Sequence, residues 1–223
     1  IEKSAEKFLN ALQKTETIQT PSKLERTILD EAAMNLFQLG DATYGGFGSA
    51  PKFPNAANIS FLIRYAKLSG LNKFNECALK TLNKMAKGGI FDQIGGGFSK
   101  YSTDAKCMFP HFEKMLYDNA QLVSLYSDAY LIIKNPLYKD VVFETLEFVK
   151  RELTDTNGTF YSSLDADITT PSGELEEGAF YVWQEEELKK LLGDDFQHFA
   201  NYYNINDYGL WEQNNYVLIR KDS

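Results

Sequence analysis

The chain has 223 residues, of which 43% are hydrophobic and 14% aromatic, and its formal net charge is −8. These proportions are those of a globular protein and exclude a disordered chain. The acidic balance, without any cluster of Lys and Arg, argues against nucleic-acid binding. No apolar run is long enough to cross a membrane, so we expect neither nucleic acid nor membrane as a partner. Because the chain begins at Ile1 rather than Met, we expect it to be part of a longer protein.

The two cysteines, Cys77 and Cys107, form neither a CxxC pair nor a metal-ligand spacing. Such sparse cysteine use predicts a reducing compartment, and we therefore expect a cytoplasmic location. With one histidine near scattered carboxylates, no recognisable metal-binding pattern is present, so the sequence predicts no metal and no cofactor.

Six helices are predicted in the first two-thirds of the chain, from apolar residues at helical spacing and from Pro or Gly at the helix ends. In chain order they span residues 4–15, 20–40, 55–68, 72–87, 110–134 and 137–153. Since these helices follow one another without intervening strands, the fold is predicted to be mainly α and built of α-hairpins.

The last third of the chain is predicted to contain short strands as well as helices. Short aromatic and β-branched runs at residues 159–161 and 179–183 predict one small β-hairpin, with a polar loop between them. Two short helices, 184–192 and 194–203, and a further strand within 211–219 complete the prediction.

Glycine-rich loops follow the second and fourth predicted helices. They contain YGGFG at residues 44–48 and IGGGF at residues 94–98. Repeated α-hairpins joined by similar loops on one rim are the plan of an α/α toroid.

The second loop leads into the most polar helix predicted, and we interpret residues 88–122 as the functional centre. At about 100° per residue, the polar residues fall on one face of that helix. An ordinary solvated face is the alternative interpretation. The face carries Glu113, Lys114, Tyr117, Asp118 and Gln121, with His111 at its edge.

Three of these residues are predicted to be catalytic. Glu113 and Asp118 are candidates for general acid and base, because desolvation raises a carboxyl pKa and a nearby lysine lowers it. His111 could carry a proton near neutral pH, and its alternative role is a simple hydrogen bond at the helix start. Tyr117 and Asn119 are predicted to orient hydroxyl groups.

Further residues are predicted to bind the substrate. The acidic side chains of the late loop could close the pocket from above, with solvated loop charge as the alternative, and an aromatic face there could stack on a sugar ring. The complete predicted set is Lys52, Phe53, Asp92, Tyr101, Lys114, Tyr117, Asn119, Asp165, Asp167, Glu177 and Trp183.

Several motifs, taken together, resemble the thioredoxin-domain-containing family of bacterial YyaL and spermatogenesis-associated protein 20. They span residues 44–183 in order. They are YGGFGSAPKFP at 44–54, GGGF at 95–98 with Lys100, Tyr101 and Asp104, PHFEKMLYDNAQL at 110–122, DAD at 165–167 and EGAFYVW at 177–183.

The resemblance implies a thioredoxin-like domain followed by an (α/α)6 toroid similar to the N-acylglucosamine 2-epimerase and six-hairpin glycosidase barrels. Residues 1–223 would form the first half of that toroid. The chain departs from the family pattern at Cys107, where a tryptophan is expected. It also lacks the later helices from which epimerase-type barrels draw histidines, so we do not expect this chain to be catalytic alone.

Two functions remain open from the sequence. The first is a carbohydrate-active domain with acid/base chemistry of the isomerase, epimerase or glycosidase type, acting on a small-molecule ligand. The second is a non-catalytic platform for substrates or partners of the thioredoxin-like domain. A half toroid would expose apolar helix surface, so we also expect self-association of the chain.

Overall fold

A computed structural model describes residues 2–15, 25–170 and 173–221. The chain divides into two compact units, residues 1–32 and residues 33–223. The first unit contains helix α1 (Glu2–Thr15), and helix α2 (Arg26–Leu39) begins there and continues into the second unit. The predicted start of the second helix, at residues 20–24, lies outside the described residues.

The second unit is built on two α-hairpins, which confirms the predicted helical plan. Helices α3 (Ala56–Ser69) and α4 (Asn72–Lys87) form the first hairpin, and α5 (Leu116–Ile133) and α6 (Pro136–Glu152) form the second. Helix α3 packs against both α4 and α5, and the hairpins bury one apolar core that includes Phe74, Leu82 and Tyr126. None of the described helices has the length and apolar character needed to cross a membrane.

Short antiparallel strand pairs connect the loops. They are β1 (Tyr101–Ser102) with β2 (Pro110–His111), β3 (Lys114–Met115) with β4 (Ser163–Leu164), β5 (Asp167–Thr169) with β6 (Leu175–Glu177), and β7 (Trp183–Gln184) with β8 (Asn215–Tyr216). Helices α7 (Glu185–Leu192) and α8 (Phe196–Tyr203) lie between the last two strands.

A late β-hairpin is present, but its strands are not the two that were predicted, whereas the further strand predicted within 211–219 is present as β8. The hairpin is β5–β6, within the stretch that was expected to be a polar loop. Residues 179–181 instead form a turn, in which the Tyr181 amide donates to the Gly178 carbonyl. The Tyr181 ring stacks on Phe112 with 5.6 Å between ring centroids, so packing against a distant ring decides the conformation of this aromatic run.

The predicted start of the fifth helix was also wrong, because α5 begins at Leu116 rather than at Pro110. Strand pairing at β2 and β3 holds residues 110–115 extended, so their side chains alternate with a period of two. His111 and Glu113 are half-buried on one face of this segment, whereas Phe112 and Lys114 are fully buried on the other. The helical face that was predicted for His111, Glu113 and Lys114 therefore does not exist.

Three similar turns, which we call aspartate turns, follow α2, α4 and α6. In the first two, Oδ1 of Asp41 or Asp92 accepts hydrogen bonds from the amides two and three residues later. The aspartate amide donates to the carbonyl of Gly46 or Gly97, five residues later. The third turn begins at Asp155 and is one residue shorter.

Each aspartate turn closes with a β-bridge to a phenylalanine. The bridges are Gly40–Phe47, Phe91–Phe98 and Thr154–Phe160. The short sequence echo between residues 44–48 and 94–98 is therefore a true structural repeat, and the structure extends it to a third copy. Repetition of one turn after every second helix is what a toroid of α-hairpins requires.

A buried lysine completes each of the first two turns, and we call this arrangement a lysine clasp. Lys52 Nζ donates to Asp41 Oδ2 at 2.6 Å and to the carbonyl of Gly45 at 2.8 Å. Lys114 Nζ makes the same two contacts, to Asp92 Oδ2 at 2.8 Å and to the carbonyl of Gly96 at 2.9 Å.

The clasp lysines also join one repeat to the next. The backbone of Lys52 exchanges hydrogen bonds with Ser102, which lies four residues after the phenylalanine of the second turn. Lys114 pairs in the same way with Leu164, four residues after the phenylalanine of the third turn. Each lysine thus fixes its own turn through its side chain and the following repeat through its backbone.

Removal of one clasp ammonium is expected to lower stability strongly. Lys114→Ala leaves the Asp92 carboxylate without its buried partner, and breaking a buried ion pair costs about 3 kcal/mol or more. Lys150→Ala, at an exposed lysine on α6, should change the free energy of unfolding by less than about 0.5 kcal/mol. Urea denaturation of both variants measures the difference, and similar effects would contradict a structural role for the clasp.

A second comparison concerns two glycines with similar positive φ angles, Gly97 at 81° and Gly48 at 72°. A Cβ at Gly97 would collide with the Phe148 ring, whereas a Cβ at Gly48 would meet open space. We expect Gly48→Ala to cost about 1 kcal/mol, from backbone strain alone. Gly97→Ala should cost about 3 kcal/mol, because overpacking adds to that strain. Equal shifts in thermal denaturation would show that the Phe148 contact is not tight.

Candidate functional site

Four ionisable side chains meet on the half-buried face of the extended segment, and we call them the histidine cluster: Lys100, His111, Glu113 and Glu177. His111 Nδ1 lies 2.5 Å from Glu177 Oε1, and its Nε2 lies 3.7 Å from Glu113 Oε2. Lys100 Nζ donates to the same Glu113 oxygen at 2.7 Å. The histidine ring therefore sits between two carboxylates, one of which is held by a lysine.

Aromatic rings extend the histidine cluster on one side. The Tyr101 ring stacks on His111, with 5.0 Å between centroids, and Phe53 lies against Tyr101 at 4.9 Å. Phe53 is 47% exposed. The other side chain predicted near this site, Tyr117, is 52% exposed at the start of α5. These exposed rings give the cluster apolar faces on which a flat or ring-shaped ligand can stack.

One group of the cluster, Lys100, and one group beside it, Asp118, have shifted pKa values. Burial raises the pKa of the Asp118 carboxyl to about 6, and the charge of Lys100 partly opposes this effect. The hydrogen bond to Glu113 raises the pKa of the Lys100 ammonium. Asp118 therefore exchanges its proton near neutral pH, while Lys100 keeps its positive charge.

The buried face of the same extended segment borders a cavity of about 640 Å³. This cavity is lined by the second aspartate turn, the end of α6, strands β4 and β5, and residues 180–183. Burial lowers the pKa of Lys114, which lines the cavity, and Asp92 opposes that effect. The cavity also brings together four other predicted residues, Asp92, Asp165, Asp167 and Trp183.

The predicted site residues are thus divided between two places. His111, Glu113, Tyr101, Phe53 and Glu177 contact one another in or beside the histidine cluster, and the charge of Lys100 links Asp118 to it. The residues that line the cavity lie across the strand from them. The predicted site residues therefore do not surround a single pocket.

The placement of Lys52 and Asn119 gives no support to ligand contact, and Lys114 lines the cavity with its ammonium already bonded to Asp92 and Gly96. The two lysines belong to the clasps, and Asn119 is fully buried. Its amide group bonds to both backbone groups of Phe98 and to the carbonyl of Met115. These three side chains stabilise the backbone around the site.

The sequence-based set of site residues did not include Lys100, although it stands in a recognised motif. It also missed Arg151, Glu152 and Tyr181, which line the cavity. No motif marks the first two, because they lie at the end of α6 and reach the cavity only through the fold.

Cys107 does not line a site. It is buried in the core, and burial raises the pKa of its thiol to about 11, so it stays a protonated thiol at neutral pH. Across residues 2–15, 25–170 and 173–221, no group of three or more His, Cys, Asp and Glu side chains is arranged to hold a metal ion.

No model of a known protein family matches the chain. It is 45% identical to human spermatogenesis-associated protein 20 over 157 residues, which cover 68% of this chain and 20% of the relative. It is 39% identical to an uncharacterised protein of Caenorhabditis elegans over 184 residues, 76% of this chain and 25% of that protein. The chain thus spans about a fifth to a quarter of the length of the curated relatives it matches.

Among solved structures, the fold is similar to that of cellobiose 2-epimerase from Bacillus thermoamylovorans. The TM-score is 0.53 at 12% sequence identity, and the match covers 69% of this chain and 42% of the epimerase. At this identity the similarity concerns the fold, which is a toroid of α-hairpins.

The raised pKa of Asp118 predicts a dependence of stability on pH. Because its pKa is about 6 in the folded chain against 3.8 without burial, the folded state resists ionisation of Asp118. Relative to Asp118→Asn, the wild-type chain should lose stability as pH rises from 4 to 6.5. Asp118 is only partly buried, so screening limits the loss to about 1 kcal/mol.

Denaturation of both proteins at pH 4 and pH 7 measures this loss, and NMR titration of the Asp118 carboxyl measures the pKa directly. Asp128→Asn, at an exposed aspartate on the same helix, is the matched control. A pKa near 4 for Asp118 would contradict its desolvation.

Proposed function

This chain belongs to the family of spermatogenesis-associated protein 20, and we propose that it is a carbohydrate-binding part of a toroid domain with an acid/base site at the histidine cluster. The reaction class is that of an isomerase, epimerase or glycosidase. Catalysis would require the longer protein, while the ligand contacts of the cluster belong to this chain.

The observation that carries the proposal is the comparison between the three aspartate turns. In the second turn, Lys100 and Tyr101 stand two and three residues after the phenylalanine. At the equivalent positions the first turn has Ser49 and Ala50, and the third has two serines. The turn therefore folds without a lysine or a tyrosine there, so the fold alone does not account for this part of the cluster.

The chemistry of the cluster suits proton transfer. An imidazole held between two carboxylates is placed to accept a proton and to return it. Asp118 supplies a group that changes its protonation near pH 6, because burial raises its pKa to about 6. Isomerisation and glycosidic cleavage both need an acid and a base close together, and carboxyl groups in different environments fulfil these two roles.

The ligand class follows from the rings and from the charges. Phe53 and Tyr117 expose aromatic faces beside the charged groups, which together suit the apolar faces and the hydroxyl groups of a sugar. The fold also supports a saccharide, by analogy with a structural neighbour that is a cellobiose epimerase.

Calorimetry with a panel of mono- and disaccharides tests the proposal. We expect at least one saccharide to bind the wild-type chain, and Glu113→Gln to weaken that binding about tenfold or more, because a charged hydrogen-bond acceptor is lost. Glu147→Gln, at an exposed position of α6, should leave the affinity unchanged.

Circular dichroism melting curves establish that both variants are folded. If no saccharide binds the wild-type chain, or if both variants bind it equally well, the carbohydrate proposal fails. The cluster would then be better explained as part of a partner surface for a thioredoxin-like domain.

A further inference from the structure

We propose that the cavity behind Lys114 binds a small organic cation, an ammonium group carried on an aromatic or aliphatic body. This is a second site, across the extended segment from the histidine cluster, and it does not depend on the carbohydrate proposal. Its volume of about 640 Å³ lies within the range of small-molecule sites.

The charges around the cavity favour a cation. Four carboxylates line it against two basic side chains. The two basic side chains are already engaged, since Lys114 pairs with Asp92 at 2.8 Å and Arg151 pairs with Glu152 at 2.7 Å. Asp165 and Asp167 remain, and neither has an ion-pair partner among the described side chains. The cavity thus offers two uncompensated negative charges.

Asp165 and Asp167 are placed to act together. They flank the buried Ala166 at the start of β5, and both are exposed. The Asp167 amide donates to Asp165 Oδ1 at 3.3 Å, which leaves the other carboxylate oxygens available to a ligand.

The walls of the cavity favour an organic cation over a metal ion. They are formed largely by aliphatic and aromatic side chains, and Phe180 is 69% exposed. The same walls already hold one ammonium, because Lys114 Nζ lies 4.5 Å from the centroid of Phe148 and 4.7 Å from that of Tyr181. Aromatic faces attract ammonium groups electrostatically. Phe180 and Trp183 offer further rings at this cavity.

Three probes of similar size test the requirement for positive charge: 2-phenylethylammonium, 2-phenylethanol and 3-phenylpropionate. Isothermal titration of the wild-type chain at low salt should give a dissociation constant for the ammonium at least about tenfold lower than for the alcohol. The carboxylate should bind more weakly still, because Asp165 and Asp167 repel it.

Substitutions locate the site. Asp165→Asn with Asp167→Asn should weaken binding of the ammonium about tenfold, and Phe180→Ala should weaken it by a similar factor. The matched double control is Asp194→Asn with Asp195→Asn, two exposed aspartates beside α7. His111→Gln, on the opposite face of the strand, should leave the affinity for the ammonium unchanged.

Equal affinity for the ammonium and the alcohol would overturn the proposal, and so would the absence of binding by the ammonium. A loss of affinity caused by His111→Gln rather than by the Asp165 and Asp167 pair would place the cation at the histidine cluster and refute a second site. The comparison of probes uses the wild-type chain alone, so it stays informative if a variant fails to fold.

Discussion

Two buried ammonium groups determine how the α-hairpins are arranged. A charge away from water is tolerated only with a partner of opposite sign and satisfied hydrogen bonds, and the aspartate turn supplies both. Lys52 lies just before α3 and Lys114 just before α5, while their partners follow α2 and α4. The entry of each of these helices is therefore fixed to the loop after the preceding one, and the rim of the toroid follows from that constraint.

Comparison of the three aspartate turns distinguishes the residues that folding requires from those that are available for binding. Aspartate and phenylalanine recur in all three turns and the clasp lysine in the first two, where they hold the turns together, so their chemistry says little about a ligand. The residues that do not recur, Lys100 and Tyr101, stand where a tolerant backbone lets side chains differ. A polar residue beside a glycine loop is therefore informative only after comparison with its equivalents in the other turns.

Much of the helical plan could be predicted from the sequence, since the apolar spacing of α3, α4 and α6 admits no other structure of that length. The segment 110–115 could not, because Pro110 suits both a helix start and a strand, and pairing with residues distant in sequence decides between them. Three of the four residues of the histidine cluster, His111, Glu113 and Glu177, could be selected from their types, whereas Lys100 was not. The cavity could not, because it is assembled from the ends of five separate segments. The raised pKa of Asp118 likewise depends on burial, which no motif encodes.

The short segment from His111 to Lys114 contributes side chains to two separate places. His111 and Glu113 lie in the histidine cluster, whereas Phe112 and Lys114 lie on the buried face that borders the cavity. A substitution alters only the face on which that side chain lies. An insertion or deletion of one residue would turn every later side chain of the segment to the opposite face. Such an insertion or deletion would bring the Lys114 ammonium among the carboxylates of the histidine cluster and leave Asp92 without its buried partner. During evolution this segment can therefore accept substitutions but not insertions or deletions.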